Sequence, residues 1–453
     1  MRRLHPAAAV LFFRRWVIVC LAPLLPVLFQ WDWPALALAL RQDAALLLAL
    51  GLAAWLLLHG ARWWLDEHKT LYLRWGFGPH AVRCIPLRSI AVVTLERGPL
   101  LQLTGAALVT VYPAGGEKPL TLCLTRQEAR QLADQLLPLT QPDVRWRPAG
   151  AERWSAALLG ANGLSSLALA ALALRRSQSL PGAQDLALEQ LDRLAALAAR
   201  WMPAGLAWLL AAAALWYGLN LARAADHAAR LETARAGDIL WSRGGLWRQT
   251  ECRLHLSQLS YAELRASPAG WLLHRRPLYL AAGAWRSALP LAAPRPVDQP
   301  RVEDLLPGFC LPPPVRPDLE RRSHTFFRPA GMGLGICLVL ALLSRRVMPA
   351  LTAPLLLLTA ACGLLLGGGL AGYLREGAWP RQGRLTVCVQ RGLRLHMIWL
   401  PRPALALEDR QNPWSALAQR TNLTLRLPGR VRIRVRSIPI RDAEACLQLL
   451  EYE

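Results

Sequence analysis

The run with the plainest chemical character reads Arg430-Val431-Arg432-Ile433-Arg434-Val435-Arg436. A period of two turns Val431, Ile433 and Val435 to one side of a strand and Arg432, Arg434 and Arg436 to the other. Arg430 opens the run, and Arg426 falls on the neighbouring strand across the hairpin. Near a membrane this face suits anionic headgroups, each basic group contributing about 1 kcal/mol close to the surface. The same pattern also serves a solvated strand face that resists edge-to-edge pairing. Arg275-Arg276 is a second, smaller basic candidate.

Other chemistry finds little footing. The nine histidines form neither H-x-x-x-H nor H-E-x-x-H, and no G-x-S-x-G elbow or P-loop occurs. The nine cysteines are scattered without a C-x-x-C, so neither a zinc site nor a disulfide framework is expected. Glu263 and Glu408, at strand ends, read as single solvated acids, and Asn422-Leu423-Thr424 as a chance match to a glycosylation sequon. No catalytic residue, metal or cofactor is expected, and the chain reads as a non-enzyme.

The elements that would carry such a face are clearest between Ile85 and Leu137. Ala107, Val109 and Val111 alternate with Leu108, Thr110 and Tyr112, and Leu120, Leu122 and Leu124 alternate with Thr121 and Cys123. Ala114-Gly115-Gly116 is a hairpin turn between these strands. Thr125-Arg126-Gln127-Glu128 is a capping box opening a helix over 126–137. An apolar strand is expected over Ile85 to Leu95, with an irregular corner led by Pro99.

The chain is 54% hydrophobic yet 18% charged, with a mean hydropathy of +0.23, a mixture that implies membrane spans joined to polar domains. Its +23 net charge is nearly all arginine, Lys69 and Lys118 being the only lysines, which suits a cytoplasmic-facing membrane protein; no nucleic-acid partner is expected. Apolar runs place spans at about 16–31 and 43–60, at 154–174 and 201–221, and at 329–343 and 347–373. Arg2, Arg3, Arg14 and Arg15 before the first pair keep the N-terminus cytoplasmic, with Trp31, Trp33, Trp63 and Trp64 at the interfaces. Ionisable groups are nearly absent within the spans, which argues against a transporter. Gly363, Gly367, Gly368 and Gly372 are spaced for close helix packing.

Each span pair is followed by the same series: a Gly turn, an apolar strand, a proline, then a further turn glycine. Gly115, Gly283 and Gly429 stand 16, 15 and 16 positions beyond Pro99, Pro268 and Pro413. The unit is therefore a span pair plus a β-module, present three times. The boundaries are 1–64, 151–222 and 326–374 for the pairs, and 65–150, 223–325 and 375–453 for the modules. The second module ends in a Pro-rich stretch, 290–317, where a closing helix of normal length is not expected.

Two spans followed by the residues IPLRSIAVV, then GPLLQLTGAALVTVYPAGG, then a capped helix, resemble the bacterial pleckstrin-homology-like membrane family of the YdbS/YdbT type. Three units in one chain are similar to its longer, YdbT-like members. The resemblance implies an α+β membrane protein with small PH-like β-sandwiches or partial barrels, each closed by a C-terminal helix, at the cytoplasmic face of the inner membrane. It implies lipid or protein partners, among them a shorter one-unit relative, and a role in envelope homeostasis or stress tolerance. The competing expectation is an accessory or assembly component of a transport system.

Overall fold

The computed structural model describes residues 1–8, 33–67, 69–75, 81–161, 192–193, 195–197, 199–200, 204–295, 299–312, 328–348, 351–381, 383–391, 394–401, 406–411, 413–429 and 431–451. The first expected span, 16–31, and most of 154–174 lie outside them. Three β-units follow one another. The first has β1 (Arg2–Arg3), β2 (Arg62–Leu65), β3 (Thr70–Trp75), β4 (Ala81–Pro86), β5 (Ile90–Arg97), β6 (Ala106–Pro113) and β7 (Leu120–Thr125), then a helix Arg126–Leu136. The second has β8 (Val144–Trp146), β9 (Glu232–Ala236), β10 (Ile239–Gly244), β11 (Gln249–His255), β12 (Tyr261–Ala266), β13 (Leu278–Ala282) and β14 (Trp285–Arg286). The third has β15 (Gly377–Arg381), β16 (Arg384–Arg391), β17 (Arg394–Leu400), β18 (Ala406–Arg410), β19 (Arg420–Leu427) and β20 (Val431–Pro439), then a helix Ile440–Glu451.

The expected strand Ile85 to Leu95 is in fact two strands. A 3₁₀ turn at Leu87–Ser89 separates β4 from β5, with Ser89 Oγ donating to the Pro86 carbonyl at 2.8 Å. Pro86 offers no N–H to extend the ladder, so the chain turns and β5 enters a different sheet. Leu256–Gln258 makes the same corner between β11 and β12. The irregular corner at Pro99 is a short helix, Pro99–Leu103, matched by Pro268–Leu272 and Pro413–Leu417. Pro is suited to the first helical turn, where its missing N–H costs nothing.

This two-sheet build lets the units share sheets. β5 of the first unit pairs antiparallel with β11 of the second, giving a seven-stranded sheet ordered β7-β6-β5-β11-β10-β9-β8. β12 of the second unit pairs with β17 of the third, giving a six-stranded sheet ordered β14-β13-β12-β17-β16-β15. β1 to β4 form a sheet of their own, as do β18 to β20. Each unit wraps a core: the first holds Leu71, Ile90, Val93, Val109, Leu122 and Leu132, and the third holds Val387, Leu423, Leu425, Ile433 and Val435. The second core crosses both seams, taking Ala91 and Val92 from the first unit and Met397 and Trp399 from the third.

The alternation over β6 and β7 holds, with Ala107, Val109, Val111, Leu120, Leu122 and Leu124 all buried. The capping box at Thr125 and Glu128 is formed, and Ala129, Leu132, Ala133 and Leu136 turn to the core. The second unit closes with a helix of only 7 residues, Gln299–Leu305, shorter than the closing helices of the first and third units. Pro300 falls in its first turn, where it is tolerated, and Val302, Leu305, Leu306 and Phe309 are buried.

Two described helical segments, Ala330–Val347 and Pro354–Arg375, are long and apolar enough to cross a membrane. The helices that carry them run over Arg328–Val347 and Thr352–Arg375, with small residues in their contact: an added Cβ on Gly333 would lie 3.4 Å from Cys362 Sγ. Gly363 faces Leu334 there, whereas Gly367 meets nothing within 4 Å. The remaining helices include Trp33–Gly60, with a shorter apolar stretch at Gly51–Gly60, as well as Gly150–Gly160 and Ala204–Ala229.

Candidate functional site

The arginine face of β20 forms with the expected alternation. Val431, Ile433 and Val435 are buried, Arg432 and Arg434 are exposed, and Arg426 stands directly across from Arg432. Its guanidiniums are not equally available. Arg436 donates through Nη2 to Glu376 Oε2 at 3.0 Å, and its backbone N–H donates to Oε1 at 2.8 Å. Arg426 is ion-paired with Glu408. Arg430 lies outside the described residues. The face therefore presents Arg432 and Arg434, with Arg436 committed inward.

Two acids read as single and solvated both have cationic partners. Glu263 is 5% exposed and is bound by Arg265 and His396. Burial alone would raise its pKa, but the hydrogen bonds from His396 and Arg265 prevail and lower it to about 2. Glu408 holds Arg426 as described. In each case a partner comes from a strand paired to the acid's own, His396 on β17 for Glu263 and Arg426 on β19 for Glu408, while Arg265 lies on the same strand as Glu263. Arg275 is likewise buried, donating to Glu152 Oε1 at 3.1 Å and to the Ala293 carbonyl at 3.3 Å, and so fastens the second unit to the helix Gly150–Gly160. Arg276 places Nη1 3.7 Å from Met397 Sδ. Among the described residues no cluster of three or more His, Cys, Asp or Glu side chains could hold a metal ion.

The strongest basic constellation lies instead at the first seam. A cleft of about 660 Å³ is lined by Arg97, Arg126, Arg130, Arg147, Arg153, Arg230 and Arg243 against Glu232 and Glu251. Arg97 comes from the end of β5, and Arg126 and Arg130 from one face of the capped helix, four residues apart. Arg147 follows β8, Arg153 lies in the first turn of Gly150–Gly160, and Arg230 directly follows Ala204–Ala229. The cleft thus sits where two helices of the second expected span pair meet the β-units.

Its electrostatics are those of an anion site short of negative charge. Burial, then the charges of Arg126 and Arg130, pull the Arg97 pKa below its usual value. Arg97 Nη1 donates to Gln249 Oε1 at 3.2 Å, and its Nε is buried without a hydrogen-bond partner among the described residues. Glu232, 3% exposed, is held by Arg145, Arg147 and Arg243 at 2.7, 2.9 and 2.6 Å. Burial would raise its pKa, yet the hydrogen bonds from Arg147 and Arg243 lower it on balance, so it stays ionised. Arg126, Arg130, Arg153 and Arg230 then carry the excess positive charge. These arginines are far apart in the chain, and only the β5–β11 pairing gathers them. The readable signal was the spacing of Arg126 and Arg130 and the nearby Arg145, Arg147 and Arg153.

A smaller cavity of about 390 Å³ lies further along the same seam, lined by Glu96, Tyr112, Arg223, Asp226, His227, Arg248 and Trp285 among others. Arg248 Nη2 donates to Glu96 Oε2 at 2.6 Å, which ties the two units across the seam. Asp226 accepts from the backbone N–H groups of Leu246, Trp247 and Arg248 at 3.0, 2.7 and 3.0 Å. Burial first, with Arg223 and Arg248 adding to it, lowers His227 to about 4 despite Asp226. Its folded pKa lies below the unfolded value near 6.5, so the unfolded state binds the extra proton. Stability is expected to fall as pH drops from about 6.5 towards about 4, and His227→Gln to flatten that limb in a pH series of melting temperatures.

No curated protein and no solved structure matches the chain. The unit that supplies Arg97, Arg126 and Arg130 is also the one that a known family describes. Residues 16–140 match the family model of the bacterial PH domain, so this part of the chain is similar to bacterial PH domains.

Proposed function

We propose that the protein is a non-enzymatic, multi-pass membrane protein whose PH-like units hold anionic lipid headgroups at the membrane surface. The observation that carries this reading is the seven-arginine cleft set against the ends of Gly150–Gly160 and Ala204–Ala229. With those helices entering a membrane, headgroup phosphates would lie at that depth, and guanidinium forks match phosphate oxygens. The reading takes the three span pairs as built, the inner membrane as the site and the cytoplasm as the side of the β-units. The apolar helices over 330–347 and 354–375 support it for the third pair. A three-unit YdbT-like organisation, a one-unit relative as partner and a role in envelope homeostasis are proposed on the resemblance.

The full-length protein in neutral detergent tests the reading. Added phosphatidylglycerol is expected to raise its melting temperature, and phosphatidylcholine to leave it unchanged. Replacing Arg126, Arg130 and Arg153 by Ser removes about 3 kcal/mol of headgroup attraction at about 1 kcal/mol per charge, or roughly a hundredfold in affinity. Replacing Arg432 and Arg434 by Ser should change little. Equal shifts with the two lipids would refute the proposal, and loss of the shift only in the Arg432/Arg434 variant would move the site to β20.

A further inference from the structure

The two seams between units follow one rule. The strand before each short Pro-led helix pairs with the last strand of the next unit's first sheet: β5 with β11, and β12 with β17. By the same rule β18, which precedes Pro413–Leu417, belongs with β4, the strand before the first unit's 3₁₀ turn. In the structure these two strands are the outer edges of separate sheets. Joined, they would give the order β20-β19-β18-β4-β3-β2-β1, strand for strand the equivalent of β7-β6-β5-β11-β10-β9-β8. Even the short strand that precedes a span pair, β8 in one case and β1 in the other, occupies the same outer place.

The three units already meet at a common axis. The homologous turns carry Gly116, Gly283 and Gly429, all with positive φ, at +79°, +56° and +76°. A Cβ built on each points into the next turn in cyclic order. From Gly283 it would lie 2.1 Å from the Pro113 carbonyl oxygen, from Gly429 2.2 Å from the Gly283 oxygen, and from Gly116 2.5 Å from the Gly429 nitrogen. The third unit therefore touches the first at the axis just as the second touches the first and the third touches the second. A cavity lined by Gly115, Gly116, Glu117, Ala406 and Arg432, among others, lies between them there. Only the strands of the third seam are left unzipped.

The register of that seam follows from the other two. Val93, six residues before Pro99, pairs with Arg253, and Ala262, six before Pro268, pairs with Trp399. Leu407 is six before Pro413, and Cys84 stands three before its 3₁₀ turn as Arg253 does. Leu407 therefore falls opposite Cys84, and Glu408 opposite Arg83. We propose that β18 and β4 of the same chain pair in this register, closing the three units into a pseudo-threefold ring whose third seam opens and shuts. The charge match at Glu408 and Arg83 favours it. So does the edge itself, where Val82 is 54% exposed and Cys84 is exposed, an apolar strand edge that calls for a cover.

The test is a disulfide in the full-length protein in detergent. Directly opposed residues bring their Cβ atoms to about 4.5–5.5 Å, near the distance a disulfide bridges. Leu407→Cys, mildly oxidised, is expected to form a bond to the native Cys84 within one chain, read by mass spectrometry of the joined peptides, and Cys84→Ser is expected to abolish it. Because Leu407 packs against the third core, a second measurement uses Glu408→Arg and Arg83→Glu. Each alone is expected to cut the yield severalfold, and the two together to restore it. Failure of the 84–407 bond to form in folded protein would overturn the proposal. A bond found only between two chains would also overturn it and assign the edges to a second copy.

Discussion

Gly283→Val should lower the melting temperature of the detergent-solubilised protein by many degrees, and Gly429→Val should do the same. Both residues sit at positive φ, where a β-branched side chain costs about 1–2 kcal/mol before any contact is considered. The contact is worse than the strain. A Cβ on Gly283 would stand 2.1 Å from the Pro113 oxygen, and one on Gly429 would stand 2.2 Å from the Gly283 oxygen. Both obstacles are backbone atoms of a neighbouring unit, so no rotamer relieves them and the turns must part. The combined loss is about 4 kcal/mol or more, in the range reserved for broken backbone geometry. Gly237→Val is the control: it has the same positive φ, +57°, but nothing within 4 Å of its Cβ. It should lose only the strain. If Gly237→Val and Gly283→Val melt alike, the three turns do not pack together in solution.

Those glycines show how far the sequence could be read. Their regular distance from Pro99, Pro268 and Pro413 identified three copies of one unit, and Gly283 and Gly429 are the residues at positive φ. In the first copy the left-handed residue is Gly116 rather than Gly115, because either glycine of the pair satisfies the pattern. Strand alternation over β6, β7 and β20 was legible because each has one face on a core. The pairing of β5 with β11 and of β12 with β17 was not, since a strand's edge carries no side-chain signature of its partner. The same gap hid the partners of Glu263 and Glu408, and the cleft, whose arginines come from β5, two turns of helix and three further segments. The corner at Leu87–Ser89 was readable in Pro86 but was absorbed into an unbroken apolar run.

Arg436→Ala should destabilise the third unit by about 3–5 kcal/mol, the cost of stranding a buried charge. Glu376 is fully buried at the C-terminal end of Thr352–Arg375, and Arg436 meets it through its backbone N–H, Nε and Nη2 at 2.8, 3.2 and 3.0 Å. Burial raises the Glu376 pKa, and the hydrogen bonds and charge of Arg436 pull it part of the way back; burial prevails on balance. Without the guanidinium the carboxyl rises further. A carboxyl whose folded pKa is raised binds protons in the folded state, so stability falls as pH climbs from the unfolded value near 4.5 through the folded one. The loss in Arg436→Ala should therefore be largest at neutral pH and shrink on acidification, whereas a simple packing defect would show no such trend. Replacing the pair together, Glu376→Leu with Arg436→Leu, should recover most of the stability, because apolar substitutes for a buried ion pair are often neutral. Melting curves of the three variants at pH 7.5 and pH 5 decide it. A pH-independent loss in the single variant would mean that Arg436 is an exposed member of the β20 face and is available to headgroups. The expected pH-dependent loss fixes it as the pin between the end of the helix Thr352–Arg375 and β20, leaving Arg432 and Arg434 as the solvent-facing pair.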